Sequence, residues 1–214
     1  MTTARNQQIC IEETPFYHVV SRCVRRAFLC GKDQLTGKCF EHRRQWLIDR
    51  IKQVTSVFAI DVCSYAIMSN HFHIVLKVNS TKDWNATQVL MTWCSLYSLP
   101  VLCDRYLKGE ISTEAELRRV KEYVTEYRTR LASVSWYMKA INEYIARMAN
   151  EEDKCTGHFW ESTNCFRLFH HMPENHIYLY LETFFCFKLF QSIAWNFTYL
   201  GAIFGATSFK TKGA

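Results

Sequence analysis

Only seven of the 214 residues are glycine, and none of them builds the glycine-rich loop that cradles a nucleoside phosphate. A reaction driven through such a loop is therefore not expected. Ten cysteines are many for this length, yet their spacing follows no disulfide framework. The chain opens on a polar stretch, Met1-Thr-Thr-Ala-Arg-Asn-Gln-Gln8, with no signal-peptide pattern. Reduced thiols in a cytoplasmic protein are the expectation. Charge is missing from Leu189 to Phe209, a run of 21 residues. Its length would suffice for a membrane span. Gln191, Ser192, Asn196, Thr198, Thr207 and Ser208 make it a poor one, so no membrane partner is expected.

What is present suits one domain, with an appendage at most. Hydrophobic residues make up 49%, ample for a core. A formal charge of +6 and a pI near 8.8 fit a polyanion partner without demanding one. After Pro15, the β-branched and aromatic run 16–23 predicts a first strand. Apolar residues recur at helical spacing from Glu41 to Phe58 (Trp46, Ile48, Ile51, Val54, Val57 and Phe58), which predicts a helix. His42, Arg43, Arg44, Asp49, Lys52 and Gln53 are expected on its polar side. Residues 59–67 and 71–78 read as two strands around a tight turn at Ser69-Asn70, hence an antiparallel hairpin.

This strand, helix, strand, strand order is the first half of a β-α-β-β-α-β unit. The fold class expected is α+β: a ferredoxin-like core with an antiparallel sheet, added helices, and an atypical aromatic-rich C-terminal tail. Helices are predicted at 81–97, from Ser112 to about Leu131, and from Ser135 to about Asn150, with a connector at 101–111. Ser112 or Thr113 is the expected cap of the second of these. Arg118, Arg119, Lys121, Arg128, Arg130, Lys139 and Arg147 make this region either a DNA surface or a solvated charged face.

The centre of the sequence is Met68-Ser-Asn-His-Phe-His-Ile-Val-Leu76. Strand side chains alternate, so His71 and His73 share one face and Phe72 points to the other, the core side. Two imidazoles one strand step apart can clamp a metal ion. A second block, Gly157-His-Phe-Trp-Glu161, follows far downstream. Cys155, His158, Cys165 and His170 match a zinc pattern only loosely.

The first block resembles the Met-Pro-Asn-His-x-His signature of the REP-associated tyrosine transposases, within the HUH single-tyrosine class, with Ser69 in place of the proline. Tyr17-His-Val-Val-Ser-Arg22 resembles the family's first strand, and the Trp160 block its Gly-x-hydrophobic-Trp segment. The resemblance covers about residues 15–162. It implies that His71 and His73 bind Mg²⁺ or Mn²⁺ and that single-stranded or hairpin DNA is the partner. It also implies a tyrosine nucleophile that attacks a phosphodiester, leaving a 5′-phosphotyrosine and a free 3′-hydroxyl. Arg22, Arg25, Arg26 and Arg147 are the candidate DNA contacts. A homodimer is left open.

The resemblance stops after Ser162, where the family would continue toward Tyr-x-x-x-Asn-Pro. Of the 26 basic and 20 acidic residues, only Arg167, Glu174, Glu182, Lys188, Lys210 and Lys212 lie beyond this point. The division expected is a transposase-like domain at 1–162, with a helical insertion at about 98–150, and an atypical tail at 163–214. The tail is open to three readings: translation out of frame, a divergent working C-terminus, or a membrane anchor. In a working tail, Tyr178 is the expected nucleophile, with Tyr180 as the alternative. Glu182, one helical turn after Tyr178, would be a further metal ligand. The functional expectation is a DNA strand transferase impaired in this chain. The alternatives are an inert DNA-binding remnant of a mobile element and a metal-binding structural protein unrelated to DNA.

Overall fold

Strands form where apolar side chains recur with period two, and here three such runs lie side by side. They are β1 (Phe16–Arg22), β2 (Ile60–Ile67) and β3 (His71–Val78). The computed structural model describes residues 14–24, 28–161 and 165–168, the last four by their backbone. Between β1 and β2 comes α1 (His42–Thr55). After β3 come α2 (Ala86–Cys94), α3 (Val101–Leu107), α4 (Glu114–Leu131), α5 (Val134–Glu152) and a short strand β4 (Cys165–Leu168). The sheet order is β2-β3-β1-β4, and every neighbouring pair is antiparallel. β4 begins three residues past Ser162 and pairs with Tyr17 to Val20.

The β1–β3 register sets the two faces. Tyr17, Val19 and Ser21 stand opposite Leu76, Ile74 and Phe72, and all six are fully buried. This face meets the helices. Asn142 of α5 donates through Nδ2 to Ser21 Oγ at 3.0 Å. Tyr137 of α5 bonds Thr55 of α1 at 2.8 Å and takes the Phe58 ring edge-on. His18, Val20 and Arg22 stand opposite Val75, His73 and His71 on the second face.

Local chemistry explains the helix starts. Thr113 accepts from the Glu116 amide while Glu116 accepts from the Thr113 amide, a complete capping box. Asn85 and Ser133 cap α2 and α5 in the same way, through one side-chain oxygen each. The expected connector at 101–111 is instead mostly helix α3. Pro100, read as a stop, also starts a helix well, because its fixed φ suits that place. Its carbonyl accepts from the Cys103 and Asp104 amides.

A second difference concerns α1. Arg43, assigned to the polar side, is fully buried. Its guanidinium donates to Glu152 at 2.6 Å, to Asp153 at 2.5 Å and to the Phe28 carbonyl at 2.9 Å. Helical spacing cannot reveal this, since both carboxylates come from the far end of α5. Leu47, outside the expected stripe, is also fully buried. No helix among the described residues is long and apolar enough to cross a membrane.

Candidate functional site

β3 starts directly after the turn, so the position of the turn fixes His71. Every carbonyl of that turn is anchored. Met68 and His71 close it through an amide-to-carbonyl bond of 2.9 Å. The Ser69 carbonyl accepts from the Leu29 and Cys30 amides, and the Asn70 carbonyl accepts from the Cys23 amide. The Cys30 thiol donates to the Met68 carbonyl at 3.2 Å. Burial pushes the thiol of Cys23 up to about 12 and that of Cys30 up to about 11, so both keep their protons. Gly31, at φ +85°, lets this supporting loop turn back beneath Ser69.

His71 is half-buried and His73 is 6% exposed. His71 Nδ1 lies 2.7 Å from Asn70 Oδ1. An amide oxygen only accepts, so Nδ1 carries the proton and Nε2 carries the lone pair. His73 Nδ1 lies 2.9 Å from Nε2 of His18, whose ring stacks on it at 5.1 Å and 22°. His18 is 3% exposed. Phe72, between the two histidines, is fully buried and meets the Trp160 ring edge-on at 5.7 Å.

That contact joins the two sequence blocks. Trp160 bridges Cys23 just past the end of β1, and the Glu161 amide donates to the Arg22 carbonyl at 2.8 Å. The Val24 amide donates to the Phe159 carbonyl, and Trp160 Nε1 donates to the Asn142 carbonyl at 2.8 Å. Gly157 takes φ +126°, where a side chain would be strained. Arg22, exposed, stands opposite His71 on the histidine face.

Of the remaining expected residues, Arg147 lies on the helix where it was expected, and the others are not described. Arg147 is exposed on α5, near Arg50 of α1, so it belongs to the helix layer rather than to the histidine face. Arg25, Arg26, Tyr178, Tyr180 and Glu182 lie outside the described residues, as does the run 189–209. Of the strand tyrosines, Tyr17 and Tyr65 pair with Leu76 and Ile74 and therefore sit on the helix-covered side. Burial pushes the Tyr137 phenol up, and Tyr144 stacks under Arg50 in the helix layer. None of these four faces the histidines.

Two imidazoles that share one ion at about 2.1 Å each have ring centres roughly 5 Å apart. The His71 and His73 centres are 5.1 Å apart, with planes at 68°. At most the pair offers two nitrogens, half the donor set of a four-coordinate ion. Among the described residues no group of three or more His, Cys, Asp or Glu is arranged to hold a metal. His18 turns its Nε2 to His73.

Sequence reading missed the part played by His18 and Asn70. The Asn70 signal was its adjacency to His71. The His18 signal was its two- and four-residue spacing from Val20 and Arg22, which needed the β1–β3 register to become meaningful.

No protein-family model matches the chain, and no curated protein matches it. A solved structure of the REP-associated tyrosine transposase bound to a REP hairpin resembles it distantly. That likeness covers 85% of this chain and 72% of the other, at 10% identity and a TM-score of 0.38.

Proposed function

We propose that this chain is a transposase-type domain that binds single-stranded or hairpin DNA, with Mg²⁺ or Mn²⁺ held by His71 and His73. The observation that carries the reading is the meeting of two blocks far apart in sequence. The Trp160 block is stitched along the end of β1, its indole packs on Phe72, and Phe72 sets both neighbouring histidines on the opposite face. The strand order β2-β3-β1-β4, with a helix between β1 and β2 and helices before β4, supports a ferredoxin-like core.

When bound, a divalent cation supplies positive charge to a phosphodiester oxygen. The chain's own residues would do the rest. His71 and His73 would hold the ion through Nε2. Arg22, opposite His71 and exposed, would neutralise a neighbouring phosphate. Anchoring of the 68–70 turn keeps both imidazoles in place without reorganisation.

Cleavage requires a nucleophile, and Tyr17, Tyr65, Tyr137 and Tyr144 do not face the histidines. This favours a described core that binds and positions DNA, with covalent chemistry dependent on Tyr178 or Tyr180 in the tail. A catalytically inert DNA-binding remnant is the second reading, favoured by the same observation. The test of the metal site is calorimetric titration of Mn²⁺ into the full chain and into the double variant His71→Ala/His73→Ala. Binding by the first and none by the second is expected. Equal binding by both would move the site elsewhere.

A further inference from the structure

We propose that His18 is a positioning residue: it fixes the tautomer and ring plane of His73, so that His73 presents Nε2 to the cation shared with His71. The inference rests on the reading of His71 and His73 as metal ligands and assigns a role to a residue outside that pair.

His18 Nε2 and His73 Nδ1 are 2.9 Å apart, so one of them donates and the other accepts. A cation can bind His73 only at a nitrogen with a lone pair in the ring plane. With Nδ1 turned to His18, that nitrogen is Nε2, and Nδ1 must then carry the proton and donate it. His18 accepts through Nε2 and keeps its own proton on Nδ1. The opposite assignment would put a proton on Nε2 of His73 and block the site.

His71 has the same pattern from a different source. Its Nδ1–H donates to Asn70 Oδ1 at 2.7 Å. Each ligand is therefore oriented by one hydrogen bond at Nδ1. The turn supplies the partner of His71, and β1 supplies that of His73, 55 positions earlier in the chain.

Packing strengthens the His18 contact. His18 is 3% exposed and His73 is 6% exposed, so water competes little for the bond. The rings stack 22° from parallel, which limits rotation of His73 about its outer torsion. The diagonal placement across β1 and β3 follows from register, with His18 opposite Val75 and Val20 opposite His73. Ligand imidazoles commonly give their second nitrogen to a partner of this kind, and removal of the partner weakens metal binding.

The test uses the full chain, with Mn²⁺ as the probe. Titration calorimetry is run on wild type, His18→Leu and His18→Gln, with a thermal melt of each. Nitrogen NMR of the metal-free wild type reads the His73 tautomer. Wild type is expected to bind Mn²⁺ with His73 protonated on Nδ1. His18→Leu should bind about 10- to 100-fold more weakly. His18→Gln, whose side-chain oxygen can accept in place of Nε2, should recover most of the loss. Such a rescue would not follow from a purely structural role.

Equal affinity in wild type and a folded His18→Leu would overturn the proposal and leave the metal site standing. A His73 proton on Nε2 in wild type would also overturn the proposal, even if neither variant folds. Absence of Mn²⁺ binding by wild type would overturn the metal reading itself, and this proposal with it.

Discussion

The two faces of one sheet carry two different kinds of instruction. On the helix side, Tyr17, Val19, Ser21, Phe72, Ile74 and Leu76 are fully buried, and all but Ser21 are apolar or aromatic. On the other side, the same two strands present His18, Arg22, His71 and His73. Only alternation separates the sets, so a shift of one residue in register would exchange them. The apolar face supplies the stability that holds costly polar groups in fixed positions on the other. His18 and His73 are buried imidazoles, and their mutual bond offsets part of what burial costs each of them.

Changes on the helix face should therefore unfold the protein, and changes on the histidine face should remove binding with the fold intact. The largest effect is expected for Phe72→Ala. It removes a fully buried ring that packs on Trp160, and unfolding by denaturant should show a loss of about 3–5 kcal/mol. A loss below about 1 kcal/mol would mean that the helix face does not supply the stability assigned to it.

Arg43→Ala comes next. It takes the guanidinium from Asp153 and leaves Glu152 with His42 alone, and the two carboxylates are 31% and 34% exposed, so part of the penalty is relieved by water. The same measurement should show a loss of about 3 kcal/mol, at the low end for a broken buried pair. Wild-type stability in this variant would mean that the α1–α5 clamp contributes nothing.

A smaller effect is expected on the histidine face. Hairpin DNA should bind more weakly as salt rises, and Arg22→Ala should reduce the salt slope by about one phosphate contact. Its melting temperature should stay that of wild type, since Arg22 is exposed. An unchanged slope would remove Arg22 from the DNA surface.

The smallest effect concerns Tyr178→Phe. The chain, incubated with labelled hairpin DNA and Mn²⁺, is expected to form little or no covalent adduct on a denaturing gel. The substitution should then change nothing. A strong adduct that vanishes in Tyr178→Phe would identify the nucleophile and establish the tail as a working C-terminus. One that survives would point to Tyr180.

Much of the fold was legible because local rules are strong here. The Ser69-Asn70 break and the flanking apolar runs set the hairpin, and β3 spans the residues expected from them. Thr113 caps α4 with Glu116, as the spacing implied. The helix at 101–107 was hidden because Pro100 can both end and begin a helix. Leu47 was missed because Trp46 and Ile48 on either side drew the stripe to themselves, although both are only partly buried.

By itself the sequence determined the alternation that puts His71 and His73 on one face and Phe72 on the other, because strand geometry alone dictates it. It also determined the helix caps and the apolar stripes, which depend on neighbours within one turn. Only the tertiary structure decided that His18 meets His73, that Arg43 is buried between Glu152 and Asp153, and that Trp160 closes against Phe72. Each of these contacts joins residues 55 to 110 positions apart or depends on strand register. Long-range register follows from the packing of the whole core, which no short window of sequence contains.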